Sequence, residues 1–129
     1  MSIAAVSKQD NLPTAYFSNT NNQVDYAGIG VDVISFRSGG GFMSNTGTSM
    51  ACPHVCGFLT ALLTKGGEYE DVIKDDESCR DLINDKFLID IGREGKDRST
   101  GLGYLTYLTK DEFESQFFDL PDYASAASA

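Results

Sequence analysis

The sequence has 129 residues, of which 41% are hydrophobic and 22% charged, with a formal net charge of −9. This size and mix fit one globular domain or a piece of one, and exclude a globally disordered chain. The acidity sets like charge against nucleic acid and anionic membranes, so neither is an expected partner, and no run approaches the ~18 to 20 apolar residues of a membrane span.

Met1 to Val6, with Ile3 and Val6, predicts a short buried strand. Lys8 to Pro13 is turn-like, Ala15 to Phe17 predicts a second extended piece, and the asparagines between Ser18 and Gln23 favour a turn. Val24 to Ala27 predicts another strand, with a bend at Gly28-Ile29-Gly30. Val31 to Phe36 alternates and is rich in β-branched residues, the strongest strand signal in the chain. The Ser38 to Gly41 loop is glycine-rich but has no Gly-Lys-Ser/Thr after it, which excludes a phosphate loop.

From Ser49 to Lys65 the period becomes helical, through Ala51, Val55, Phe58, Leu59, Leu62 and Leu63, and Gly66-Gly67 supplies a stop. The scarcity of charge between Phe42 and Thr64 predicts a helix buried on most sides. Glu68 to Asp85 is an acidic, solvated stretch in which Ser78 to Asp81 resembles a helix start, followed by Leu82, Ile83, Phe87 and Leu88 at helical spacing. Asp90 to Gly103 is a polar loop, Tyr104 to Leu108 an extended segment, and Thr109-x-x-Glu112 a capping box for a last helix reaching Phe118. Asp122 to Ala129 is a small, polar tail expected to be disordered.

There are three cysteines, Cys52, Cys56 and Cys79, and one histidine, His54. The odd cysteine count argues against a disulfide framework, a bridge within one helical turn is strained, and a metal site needs more ligands. The three thiols are therefore expected to be small buried fillers.

Chemistry concentrates in Gly47-Thr-Ser-Met-Ala-Cys-Pro-His-Val-Cys-Gly57. Ser49 opens an apolar helix, where free backbone N–H groups and the positive end of the helix dipole favour an oxyanion. Gly47 allows a tight turn, Thr48 a local cap, and Pro53 cannot bond back to the Ser49 carbonyl, which places the start of regular helix near Pro53. Taken alone, a serine there is a helix cap. The rival nucleophile elbow, Gly-x-Ser-x-Gly, fails because Ala51 holds the last position and no acid-then-histidine order follows.

This eleven-residue segment resembles the serine segment of subtilisin-like proteases (subtilases, peptidase family S8). The resemblance extends over residues 1 to 108, through Ile3 to Val6, Ala15 to Ser18, Val24 to Ala27, Val31 to Ser35 and the Asp90 to Gly103 loop, which resembles the loop closing that domain. It implies an α/β fold, the C-terminal part of a three-layer sandwich with a mainly parallel sheet, over residues 1–108. Residues 109–129 form a C-terminal helix and tail. It implies serine endopeptidase chemistry on peptide or protein substrates, with Ser49 as nucleophile within the Gly47, Thr48, Ser49 motif. No cofactor is implied, and structural calcium, known among relatives, maps to no residue here. Secretion is a family expectation, although no signal peptide is visible at Met1. The oligomeric state is not implied.

The matching histidine of the family motif is structural, and helix geometry agrees: five residues put the His54 and Ser49 side chains ~140° apart around the axis. The family's Asp, His and oxyanion Asn segments precede the serine; none is found in residues 1–129. Ala27-Gly-Ile-Gly30 also replaces the family's Ala-Pro-Gly turn. The helix is therefore expected to lack partners on several sides. The alternative function is a catalytically inactive remnant or interaction module.

Overall fold

The computed structural model describes residues 1–117. The elements run β1 (Ile3–Val6), β2 (Tyr26–Ile29), β3 (Val33–Phe36), β4 (Phe42–Asn45), α1 (Thr48–Leu62), α2 (Asp76–Lys86), β5 (Leu88–Ile89), β6 (Tyr104–Leu105) and α3 (Lys110–Phe117). Four strands form one sheet in the order β1-β2-β6-β5. The β1–β2 and β2–β6 pairs are parallel and only β5–β6 is antiparallel.

Strand alternation sorts the core into two faces. Ala4, Val6, Ala27, Ile29 and Tyr104 pack with Phe113 of α3. Tyr26 and Leu105 pack on the opposite face with Val55, Phe58 and Leu62 of α1 and Ile83 of α2. The result is helix, sheet, helix: the three-layer α/β arrangement with a mainly parallel sheet. Parallel strands need both faces covered, and here both are.

Several local expectations shift. Ala15 to Phe17 is a turn rather than a strand: Ser18 N–H donates to the Ala15 carbonyl at 2.9 Å, and Tyr16 is 99% exposed. The chain instead folds back along β1, with Ala15 N–H on the Ala5 carbonyl at 2.9 Å. β2 continues through Gly28 where a bend was expected. Val31 to Phe36 does contain a strand, but β3 belongs to a separate antiparallel ribbon with β4, closed by Gly39, Gly40 and Gly41 at positive φ. β4 carried no sequence signal of its own.

α2 starts three residues before the Ser78 signal. Asp75 is the cap: its carboxylate accepts the Ser78 N–H at 2.8 Å, and Ser78 Oγ accepts the Asp75 N–H at 3.0 Å. Leu88 leaves the helical series to pair with Leu105. The capping box of α3 forms as its spacing predicts, with Thr109 N–H donating to Glu112 Oε2 at 2.9 Å. Phe118 and the Asp122 to Ala129 tail lie outside the described residues. Among the described residues no helix is long and apolar enough to cross a membrane.

Candidate active site

α1 is seated directly on β2. A side chain at Gly28 would place its Cβ 2.6 Å from the Ala51 carbonyl oxygen; at Gly30 it would meet Ala5 Cβ at 2.7 Å and the Gly47 carbonyl oxygen at 2.8 Å. These two glycines let the helix backbone touch the strand. Gly47 N–H then donates to the Gly30 carbonyl at 2.7 Å, which ties the first turn of α1 to the end of β2.

Helical bonding begins at Gly47, whose carbonyl accepts from Met50 N–H at 2.9 Å and Ala51 N–H at 3.4 Å. The expected start near Pro53 is therefore wrong. Pro53 sits inside the helix and deprives the Ser49 carbonyl of its partner without ending the element. The cap is Gly47, with no side-chain cap bond, so neither Thr48 nor Ser49 performs that role. Ser49 lies in the first turn, where backbone N–H groups have no intrahelical acceptor. Its side chain is exposed and makes no hydrogen bond to any described residue.

His54 does not serve Ser49. Its Nε2 lies 3.3 Å from the Tyr104 hydroxyl, and the two rings are 5.8 Å apart. Burial lowers the His54 pKa from 6.5, with a smaller push from the Lys8 charge. A neutral ring can accept the Tyr104 O–H at Nε2. The sign follows: in the native protein the neutral ring is favoured, so its contribution to stability is full above about pH 6.5 and fades as pH falls through the lowered native value. The wild-type chain is expected to lose stability on titration below that point, before the aspartates protonate, and His54→Phe to flatten this part of the profile. Thermal melts across the range check it; an unchanged slope in the variant would refute the assignment.

Only one face of α1 is buried, through Ala51, Val55, Phe58 and Leu62. The expectation of burial on most sides fails, and with it the reading of the thiols. Cys79 is buried, but Cys52 and Cys56 are exposed, since they point away from the sheet. Gly57 has no neighbour within 4 Å of a notional Cβ, so it serves no close packing here. The outer face of Cys52, Pro53, Cys56, Gly57, Thr60 and Ala61 is open and uncharged.

The loop from Asp90 to Gly103 is built around Asp97. Its carboxylate accepts the N–H groups of Ser99 and Thr100, each at 2.7 Å, and of Arg93 at 3.2 Å, with the Thr100 hydroxyl at 3.0 Å. Burial pushes the Asp97 pKa up, but these donors outweigh it and hold it below 3.8. Gly101, at φ 65°, lies against the Asp25 carbonyl, and Leu102 N–H bonds that oxygen at 2.8 Å, fastening the loop to β2. The Asp97 oxygens are thus committed to internal donors. Among the described residues no three His, Cys, Asp or Glu side chains converge to hold a metal.

Two surface cavities, of about 920 and 620 Å³, lie between β5 and α3 and beside the Asp97 loop; neither is lined by Ser49. Ser49 thus stands at a helix N-terminus with no histidine beside it among the described residues, and neither of these two cavities reaches it.

The family model for the subtilase family matches residues 1–103. An intracellular serine protease of Paenibacillus polymyxa is 38% identical over 114 residues, covering 87% of this chain and 33% of that protein. A thermophilic serine proteinase of Bacillus sp. (strain AK1) is 34% identical over 84 residues, or 65% of this chain and 20% of the relative. In solved structures, sphericase superposes with a TM-score of 0.69 at 21% identity, over 84% of this chain and 40% of its own. The S41 psychrophilic protease gives 0.65 at 20%, over 82% and 40%. The chain thus spans a third or less of these curated relatives and 40% of the solved structures. With the family model covering most of its length and the neighbours sharing its fold, this chain belongs to the subtilase family.

Proposed function

We propose that this chain carries the nucleophile segment of a serine endopeptidase, with Ser49 attacking the scissile carbonyl of a peptide or protein substrate. The observation that carries this reading is Ser49 itself, exposed and unpartnered in the first turn of a helix within the GTSMACPHVCG segment. As Oγ bonds to the carbonyl carbon, its proton passes to a base, and the new oxyanion meets the Ser49 N–H. Collapse expels the amine, which takes the proton from the base, and water then cleaves the acyl ester by the same route. Gly47 and Thr48 hold the turn that aims this N–H outward. The proposed step needs no cofactor.

The base is not His54, the one histidine of the sequence, because that ring is engaged with Tyr104. The reading therefore assigns the base and a second oxyanion donor to protein outside these 129 residues, joined in cis or docked in trans. The open, uncharged face of α1 suits such a partner, since a helix that stays in water normally carries polar side chains there.

The test joins this chain to the N-terminal part of the Paenibacillus relative and measures hydrolysis of an unstructured peptide. Turnover is expected from the joined protein and none from the chain alone. A joined protein that folds cooperatively yet leaves the peptide intact would overturn the reading in favour of a non-enzymatic remnant or interaction module.

A further inference from the structure

Cys52 and Cys56 stand on the outer face of α1, four residues apart and both exposed. Four helical residues turn ~400°, so the two side chains lie within ~40° of one another around the axis. Their Cβ atoms are therefore about 5 to 6 Å apart. That is too far for a disulfide, which holds its Cβ atoms at about 3.5 to 4.5 Å. It suits an ion held between the two sulfurs: with metal–thiolate bonds of about 2.3 Å, a linear sulfur–metal–sulfur unit spans about 4.6 Å. The helix keeps this spacing, since Pro53 lies inside α1 without ending it.

We propose that Cys52 and Cys56 form a dithiol site for a soft monovalent cation of the copper(I) class, bound linearly between the two thiolates of one chain.

The donor set selects the ion. A structural zinc takes four ligands, and among the described residues no three His, Cys, Asp or Glu side chains converge. Calcium and magnesium take oxygen ligands, and no acidic residue occurs between Val33 and Gly67, so α1 offers no carboxylate. Thiolate sulfur selects soft ions, copper(I) among them, and a monovalent ion of this class is satisfied by two ligands in line. His54, midway between the cysteines in sequence, adds no third ligand, because it lies on another side of the helix with its Nε2 against the Tyr104 hydroxyl.

Charge and access agree. Each thiol releases one proton to water as the ion binds, and no electron moves, so copper enters and stays as copper(I). The bound unit carries a net charge of −1, with no carboxylate on α1 to repel it. Gly57, next to Cys56, has no atom within 4 Å of a notional Cβ, so nothing walls off the pair on that side. Cys79 is the contrast. It is buried in α2, and burial, with a smaller push from Asp76, raises its thiol pKa away from the thiolate form that a metal needs.

Anaerobic titration of the reduced full chain with copper(I), in competition with bicinchoninate, tests the site. X-ray absorption reads the ligands, sedimentation the mass, and far-UV circular dichroism the fold of each variant. One ion per monomer is expected, with two sulfur neighbours. Cys52→Ser and Cys56→Ser are each expected to weaken binding roughly 10²- to 10⁴-fold, the scale gained when two contacts act as one. Cys56→Ser/Gly57→Cys keeps two thiols on α1 but sets them ~140° apart, and is expected to lose as much. Cys52→Ser/Thr60→Cys rebuilds the four-residue spacing one turn along, at an exposed position, and is expected to regain the ion. A wild-type chain that cannot compete for copper(I), binding indifferent to the serine variants, or equal binding by the pair set apart would overturn the proposal. So would failure of the rebuilt pair, one ion shared between two chains, or a nitrogen or oxygen neighbour on the ion.

Discussion

Replacing Ser49 with Ala in the joined, active protein is expected to lower kcat by about 10⁶-fold, the scale known for loss of the serine in subtilisin, while leaving the melting temperature unchanged. The two halves of that expectation share one cause. The Ser49 hydroxyl bonds to no described residue, so its removal orphans nothing. The cap of α1 is Gly47, and the helix does not depend on the Ser49 side chain. The change therefore removes chemistry and spares structure. Steady-state kinetics and a thermal melt on the same preparation check it. A large drop in melting temperature would instead return Ser49 to the structural role of a cap. Retained turnover would exclude it as the nucleophile.

The second large effect is expected at Gly28. Gly28→Val is expected to destabilise the protein by about 3 kcal/mol, the upper range for overpacking a filled core. The added Cβ would fall 2.6 Å from the Ala51 carbonyl oxygen and 3.2 Å from Val55 Cγ2, and backbone of the first turns of α1 cannot swing aside as a flexible side chain would. Relief requires α1 to lift off β2, which also moves Ser49. Gly57→Ala, ten residues along the chain from the Gly30 contact at Gly47, sits in open space and carries the opposite sign. In this chain it is expected to stabilise by roughly 0.5 to 1 kcal/mol, since alanine gives up less backbone entropy in a helix than glycine. Urea unfolding of both variants measures the contrast. Equal midpoints would show that the close approach of α1 to β2 is not what seats the helix.

The sequence was legible where a single local signal governed the outcome. The period of Ala51, Val55, Phe58 and Leu62 placed α1 and its inner face, and Thr109 with Glu112 placed the start of α3. It misled where two signals competed. Ser78 looked like a helix cap, but Asp75 one turn earlier captured its N–H, and the serine became the reciprocal member of the box. Gly28 looked like a bend because glycine weakens a strand, yet it is there so that α1 can touch the strand. The low charge of α1 predicts burial on most sides within this chain. Its outer face is open instead, with nothing in residues 1–117 packed over Cys52, Cys56 and Thr60. β4 was invisible because Phe42 to Asn45 shows no core-facing alternation: its face is exposed and pairs only with β3.

The candidate site divides in the same way. A serine at the head of an apolar helix was readable from the sequence, although the start of that helix was placed too late, and the ~140° separation from His54 agrees with the ring turning to Tyr104. The role of His54 was not readable, since its partner Tyr104 lies fifty positions away and meets it only through the fold. Cys52 and Cys56 were misassigned for the reason that misassigned the helix face.

The central claim is that Ser49 is the nucleophile, and a fluorophosphonate probe tests it most directly. The probe should be applied to the joined protein and the adduct located by peptide mass spectrometry. One adduct is expected, on the peptide containing Ser49, absent from Ser49→Ala and from the chain alone. An adduct on another residue, or an active joined protein that the probe does not modify, would contradict the account.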